Sequence, residues 1–424
     1  MDLTLPRGLR DLGPDDYEEL ERVRSTFIDV AEIFDFRLME PSPIEKLHTL
    51  EAKSGLGVRD EVYHFKDKGG RDVGLRFDLT IGLTRYVSSD RGLPLPVKLG
   101  SFSSMWRYDE PQYGRYRWFY QWNVEIFDAK NIDSDAEIID FTSTLCNKLG
   151  LRRLSLEIGD RTIIDEFMSS KLNIQRNDDI SNLLRAVDKL ERKTKEEILE
   201  EYSSKKVTKD ALIKMMEFGG LKGEPEFVLR SLKEDGLSNT ANLEYLIDAL
   251  KTRGVDGVTL NMGIVRGLDY YTGIVFEVFA EERNLGALAG GGRYDILPEI
   301  FGRKDIGATG VAGGVDRMLL ALSNSKVDRT NKNKVFVGYV GKEMVSVATE
   351  IASLLRKNEI PTILEISGKN LRKQFEYASK TASFFVIIGP IDYKEGKVTI
   401  RNLSSGVEMK IPKKDIVERI RSGF

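Results

Sequence analysis

The run Ile264-Val265-Arg266-Gly267-Leu268-Asp269-Tyr270-Tyr271-Thr272-Gly273 crowds one arginine, one aspartate and two adjacent tyrosines into a glycine-spaced turn between apolar segments. A solvated loop has no need of paired aromatic hydroxyls. Residues 259–264 and 274–279 on either side read as strands, so the polar cluster would stand at a strand joint, where a rigid sheet displays a loop that can carry chemistry. A tight turn whose tyrosines only pack would use the same residues without chemistry.

Further segments offer matching groups. Across 103–127 two strands are expected, joined by Glu110-Pro111-Gln112-Tyr113-Gly114-Arg115-Tyr116. Strand side chains alternate faces. Arg107 and Asp109 then share a face opposite Trp106 and Tyr108, while Phe119, Gln121, Asn123 and Glu125 share one opposite Trp118, Tyr120, Trp122, Val124 and Ile126. One face is a core wall and the other a polar shelf. A half-exposed antiparallel sheet shows the same alternation for no functional reason, but a merely solvated face usually carries lysine and serine, and this one carries groups suited to directional recognition. Residues 75–80 repeat the device, with Arg76, Asp78 and Thr80 on one side and Leu75, Phe77 and Leu79 on the other. Asp78 and Thr80 together suit an ammonium group, as an amino-acid site requires. In Gly307-Ala308-Thr309-Gly310-Val311-Ala312-Gly313-Gly314-Val315-Asp316-Arg317 a small-residue strand feeds a helix, and Arg317 near its start would join backbone amides in an anion site. The lysine and glycine spacing of a Walker loop or dinucleotide fingerprint are missing. A phosphate held there would need Arg107, Arg115 and Arg317 as its clamp.

Composition narrows the chemistry. The chain has 424 residues, 41% apolar and 31% charged, which describes a soluble globular protein of two or three domains. Cys146 is its only thiol, so neither an intrachain disulfide nor a cysteine-built zinc site can form, and its apparent helix marks it as a buried small hydrophobe. His48 and His64 fall in different elements with no triad spacing. Carboxylates, arginines, tyrosines and a bound magnesium ion remain. No apolar run reaches membrane-spanning length, and the opening Met1-Asp2-Leu3-Thr4-Leu5-Pro6-Arg7 has no signal-peptide character, so a cytoplasmic address is expected. Residues 330–424 hold 17 basic and 10 acidic side chains, net +7, against 47 and 57 elsewhere, net −10. A basic module on an acidic body suggests a polyanion such as nucleic acid; a lysine-rich solvated surface would give the same count.

These groups must be held by elements the periodicity outlines. Residues 1–160 mix helix and strand, with a helix over 15–34 carried by Tyr17, Leu20, Val23, Phe27, Val30 and Ala31. Residues 161–253 turn helical and charge-rich, as in an inserted subdomain. Strand patterns return in 254–325, followed by a glycine-rich loop and a helix over 315–322. After a polar stretch, 330–424 alternates strand and helix, the pattern of an α/β module with a mixed sheet covered by helices.

In order, these segments resemble the three motifs of class II aminoacyl-tRNA synthetases, and 266–273 resembles the segment peculiar to histidyl-tRNA synthetases. The resemblance includes the opening Pro6-Arg7-Gly8-Leu9-Arg10-Asp11, residues 75–80, the hairpin of 103–127, the turn Gly290-Gly291-Gly292-Arg293-Tyr294-Asp295, the segment ending at Arg317, and the basic C-terminal module. It implies an α+β fold: a six- or seven-stranded antiparallel sheet flanked by helices, a helical insertion and a C-terminal α/β anticodon-binding domain, assembled as a homodimer. It also implies histidine, ATP with Mg2+, and a tRNA as partners. Arg107 would bridge the histidine carboxylate and the α-phosphate, with Arg266 beside that phosphate. Arg115 and Arg317 would hold the β- and γ-phosphates, Phe119 and Arg317 would sandwich adenine, and Asp109 would approach its amino group. Asp78, Thr80 and Gln121 would bind the amino-acid ends; Glu125 and Tyr271 would bracket the imidazole, with Tyr270 alongside and Tyr294 closing the site. Gln112 and Arg117 would meet the tRNA acceptor end. The pattern is departed from at Asp109, where the family usually has the longer glutamate, and at the first motif, where Pro41 and Pro43 compete for one proline. The rival reading on the same architecture is a non-catalytic regulatory subunit of ATP phosphoribosyltransferase, which lacks such a C-terminal module.

Overall fold

A computed structural model describes the chain except for residues 1, 55, 111–113, 175–176, 192, 203–206, 266–269, 281–284, 324–333 and 424. It forms two compact units, Met1–Lys326 and Val327–Phe424.

The first unit opens with helix Pro14–Ile33. Proline at its start and Asp15 and Asp16 in its first turn suit the unsatisfied amides there. Its apolar stripe buries Leu20, Val23, Phe27, Val30 and Ala31, whereas Tyr17, expected in that stripe, is half exposed at the first turn. Phe27 packs against Trp122 with ring centroids 5.9 Å apart and against Phe141 of helix Ile132–Leu149 at 6.0 Å.

That layer covers one face of a nine-stranded sheet. Its centre is Val97–Trp106, Trp118–Phe127, Ala308–Gly314, Ala287–Arg293, Ile274–Phe279 and Ser155–Asp160, each antiparallel to the next. The family-like antiparallel core is present, but parallel additions lengthen it: Arg37–Leu38 beside Val97–Trp106, and Val258–Asn261 beside Ser155–Asp160. Lys222–Gly223, from the helical segment, closes that second edge. Helices of that segment bury Leu183, Leu212, Leu232 and Leu246 in the same apolar cluster as Trp122 and Phe276.

Two local expectations are overturned. The glycine-rich stretch around 290 is not a loop but a central strand, Ala287–Arg293. Glycine usually breaks strands, yet here neighbouring backbone comes so close that a Cβ on Gly291 would lie 2.2 Å from the Gly310 carbonyl oxygen. The polar face of Trp118–Phe127 is likewise no open shelf. Helix Leu79–Ser89 and Tyr294 roof it, with Leu79, Leu83, Met105, Phe127 and Tyr294 in one cluster, leaving Asn123 and Glu125 0% and 1% exposed.

The second unit has a five-stranded sheet ordered Thr362–Leu364, Val335–Tyr339, Phe384–Ile388, Lys397–Asn402, Glu408–Pro412, parallel over the first three and antiparallel thereafter. Val345–Lys357 and Leu371–Thr381 bury Ile351 and Ala378 in apolar clusters with Val337 and Phe385 respectively. This is the mixed, helix-covered sheet that strand and helix alternation implies.

Candidate active site

Asp78 ends the approach to helix Leu79–Ser89 and caps it, accepting a hydrogen bond from the Ile81 amide at 3.2 Å. Alternation over 75–80 therefore stops at Leu75, where strand Asp72–Leu75 ends, and Thr80 sits in the first helical turn. A short carboxylate before an apolar run is an N-cap signal, and it outweighs the local alternation. Arg76, on the supposed functional side, is structural: it is 4% exposed and donates to the carbonyls of Ser104 at 2.9 Å and Pro41 at 2.6 Å.

Beneath that helix start lies Glu125. Its Oε1 accepts from Thr80 Oγ1 at 2.7 Å and Asn123 Nδ2 at 3.1 Å, and its Oε2 accepts from the Tyr294 hydroxyl at 2.6 Å. Tyr294 is carried there by Arg293, whose guanidinium is locked to Asp135 at 2.5 Å and to the Asn131 carbonyl at 2.9 Å. Burial, reinforced by Glu125, pushes the Tyr294 phenol well above its usual range, and burial together with Tyr270 does the same to Tyr271. Both phenols keep their protons and remain donors. Tyr270 and Tyr271 lie with ring centroids 4.3 Å apart. Asp78, Thr80, Arg107, Gln121, Glu125, Tyr270, Tyr271 and Tyr294 thus line one cavity of about 160 Å³.

A second, larger cavity of about 440 Å³ is lined by Arg107, Asp109, Arg115, Phe119, Gln121, Glu277 and Arg317. Arg107 and Gln121 belong to both. Arg107 is steadied by donating from Nε to the Phe77 carbonyl at 3.0 Å, and its guanidinium lies 5.2 Å from the Phe119 ring centre. Arg115 pairs with Asp109 at 2.8 Å, and Arg317 donates to the Ala287 carbonyl at 2.9 Å. The arrangement offers a small recess with acceptors and phenolic donors, adjoining at Arg107 and Gln121 a larger trough lined by three arginines and three carboxylates.

Arg266 and Gln112 lie outside the described residues. Arg117 is only 8% exposed, because its Nε donates to the Asp109 carbonyl at 3.0 Å and its guanidinium stacks 3.8 Å above Tyr108. It braces the base of the hairpin and does not reach outward. Cys146 is fully buried and burial pushes its thiol up to about 12, so it is inert.

Residues 8–318 match the family model described as histidyl-tRNA synthetase, and 334–423 match that of an anticodon binding domain. The chain belongs to the histidyl-tRNA synthetase family. A histidine–tRNA ligase of Pyrococcus furiosus is 36% identical over 99% of this chain and 98% of its own length, and that of Archaeoglobus fulgidus is 36% identical over 98% and 99%. The fold is shared with a histidyl-tRNA synthetase structure from Nostoc sp. PCC 7120, at a TM-score of 0.84 and 22% identity over all of both chains. A Bacillus halodurans structure titled as an ATP phosphoribosyltransferase regulatory subunit/histidyl-tRNA synthetase aligns at a TM-score of 0.74 and 21% identity, over 92% of this chain and 98% of that one.

In this synthetase-family chain, sequence reasoning missed three participants. Glu277 lines the larger cavity from strand Ile274–Phe279, where it is the single charge in an apolar run. Asp316 ion-pairs with Arg10 and accepts from the Tyr120 amide at 3.3 Å, next in sequence to Arg317. Gly310 stands directly across from Glu125 in the register. Glu277 was signalled by that lone charge and Gly310 by its place among small residues.

Proposed function

We propose that the chain is a histidine–tRNA ligase, which joins histidine to ATP as histidyl-adenylate with release of pyrophosphate and then passes the histidyl group to the terminal ribose of its tRNA. One observation carries this reading: an amino-acid-sized recess and a larger cavity lined by three arginines share Arg107 and Gln121. A carboxylate in the recess and an α-phosphate in the trough would both face that guanidinium. Arg107 then offsets the repulsion between two anions as a carboxylate oxygen bonds to phosphorus and the pyrophosphate oxygen leaves. Such a displacement depends on positioning and charge neutralisation, with no protein nucleophile. Arg115 and Arg317 would neutralise the departing pyrophosphate, Phe119 would stack on adenine, and Arg266 would stand beside the α-phosphate.

Glu125 and Tyr271 would read the imidazole, one accepting from its N–H and the other donating to its bare nitrogen. A side chain lacking either group leaves buried polar atoms unpaired, which is a steep basis for selectivity. Asp78 and Thr80 would hold the ammonium and Gln121 the carboxylate.

Magnesium would arrive with ATP and screen its phosphates. Among the described residues no cluster of three His, Cys, Asp or Glu could hold a metal, so phosphate oxygens would supply most of its ligands. Asp109, Glu277 and Asp316 line the cavity where it would sit, with Asp109 and Asp316 paired to Arg115 and Arg10.

The basic second unit would meet the anticodon, and Gln112 the acceptor end, with Arg117 shaping the hairpin. A cytoplasmic homodimer completes the reading; the sheet edge at Arg37–Leu38 leaves Leu38 47% exposed, a surface that suits a second copy. No helix among the described residues is long and apolar enough to cross a membrane.

Pyrophosphate–ATP exchange with each of the twenty amino acids tests this. Exchange with histidine alone is expected. No exchange with any of them, in folded protein with magnesium present, would favour the regulatory-subunit reading instead.

A further inference from the structure

Asn123 is fully buried beneath the small recess and lines neither cavity. Its Nδ2 nevertheless lies 3.1 Å from Glu125 Oε1 and 3.1 Å from Thr80 Oγ1, while Thr80 Oγ1 donates to the same carboxylate oxygen. These bonds fix the amide's orientation, because a carboxylate accepts only from the nitrogen end. The oxygen end, Oδ1, is then left buried without a partner. Directly opposite in the sheet register stands Ser101, 1% exposed, whose Oγ is also buried without a partner. Facing strand positions place their Cβ atoms about 5 Å apart, a spacing at which an acceptor and a hydroxyl donor can share one water.

Buried unmet polar groups cost stability, and apolar side chains of similar size would avoid that cost. A buried amide retained against that cost, aimed at the carboxylate assigned to the imidazole, points to a task. We propose that Asn123, backed by Ser101, is a positioning residue that holds Glu125 Oε1 in place for reading the histidine side chain. Together with Tyr294 on Oε2, it clamps the carboxylate from both oxygens. The carboxylate plane cannot then rotate, and the direction in which it accepts the imidazole N–H is set before histidine arrives. Thr80, in contact with both Asn123 and Glu125, is aligned by the same amide nitrogen.

The inference rests on the assignment of Glu125 to the imidazole, and the test separates the two. KM for histidine, KM for ATP and kcat are measured in the exchange reaction for Asn123→Leu, Asn123→Asp, Ser101→Ala and Glu125→Gln. Asn123→Leu preserves volume without the donor, and is expected to raise KM for histidine ~10-fold or more while KM for ATP stays unchanged. Asn123→Asp keeps the shape but puts an acceptor against the carboxylate, and is expected to be the worse of the two; a role in packing alone predicts the reverse order. Ser101→Ala, which changes little volume, is expected to raise KM for histidine by a smaller factor and keeps the test open should the Asn123 variants fail to fold. If Glu125→Gln leaves KM for histidine at the wild-type value, the assignment of Glu125 fails and takes the proposal with it. If Glu125→Gln is impaired while Asn123→Leu and Ser101→Ala behave as wild type, the positioning role alone is overturned.

Discussion

Glu125 and Gly310 face each other on adjacent strands, and a Cβ at position 310 would lie 1.4 Å from Glu125 Oε2. The carboxylate occupies the space that any larger residue would fill. It is held there by Thr80, Asn123 and Tyr294, so it has nowhere else to go. Gly310→Ala is therefore expected to displace the carboxylate, cutting histidine-dependent exchange by ~100-fold or more and costing ~1–3 kcal/mol of stability from overpacking. ATP binding, followed by calorimetry, should change little, since Gly310 does not line the larger cavity. Unaltered KM for histidine would show that Glu125 is not held where it is needed.

Arg107 joins the two cavities, and Arg107→Ala is expected to lower exchange ~10²–10³-fold with the melting curve little changed. Arg107→Lys should recover only a small part, because a single ammonium lacks the planar fork that bridges two acceptors while still donating to Phe77. Steady-state exchange rates for both variants check this, and near-normal turnover in either would remove Arg107 from the reaction.

Arg10 links both flanks of the larger cavity, pairing with Asp316 beside Arg317 and stacking 3.8 Å above Tyr116 beside Arg115. Burial pushes the Asp316 carboxyl up and Arg10 pulls it down, so removing the arginine strands a buried acid. Arg10→Met should raise KM for ATP ~10-fold and leave KM for histidine alone, given that Arg10 acts only through the nucleotide arginines. Equal increases in both constants would indicate a general loss of structure.

Asp160 is fully buried at the start of helix Arg161–Lys171, with Oδ1 accepting from the Thr162 amide and hydroxyl at 2.8 Å each and Oδ2 lacking a partner. Burial raises its pKa from 3.8 to about 6. The folded state therefore binds this proton more tightly than the unfolded state, and the stabilisation, full below 3.8, is lost as pH rises through about 6. Asp160→Asn keeps the cap and removes the charge. Above about pH 7 it should be the more stable protein by up to about 3 kcal/mol, with the difference closing towards pH 4. Thermal melting of both proteins across that range decides it, and a pH-independent difference would refute the buried-charge account.

Much of the site was legible because side-chain alternation along one strand is a local property. Phe119, Gln121, Asn123 and Glu125 do share a face, opposite the buried Trp122, Val124 and Ile126. Thr80 was placed beside Asp78 for the wrong local reason, since six alternating residues cannot reveal that the one carboxylate among them, Asp78, caps a helix. The burial of Arg117 was not legible, because its partners, the Asp109 carbonyl and the Tyr108 ring, are assembled only by the fold of the hairpin.

The residue types, their alternation and their order along the chain determined by themselves that arginines, carboxylates and phenols would gather on a sheet, followed in sequence by a separate α/β unit. Only the tertiary structure decided which of them meet. Glycine at 291 reads as part of a loop until the backbones of two neighbours close on it, and Glu125 reads as one group on a polar shelf until helix Leu79–Ser89 covers it. Burial, backbone proximity and the pairing of residues distant in sequence depend on long-range packing, whose energy no local window of sequence contains.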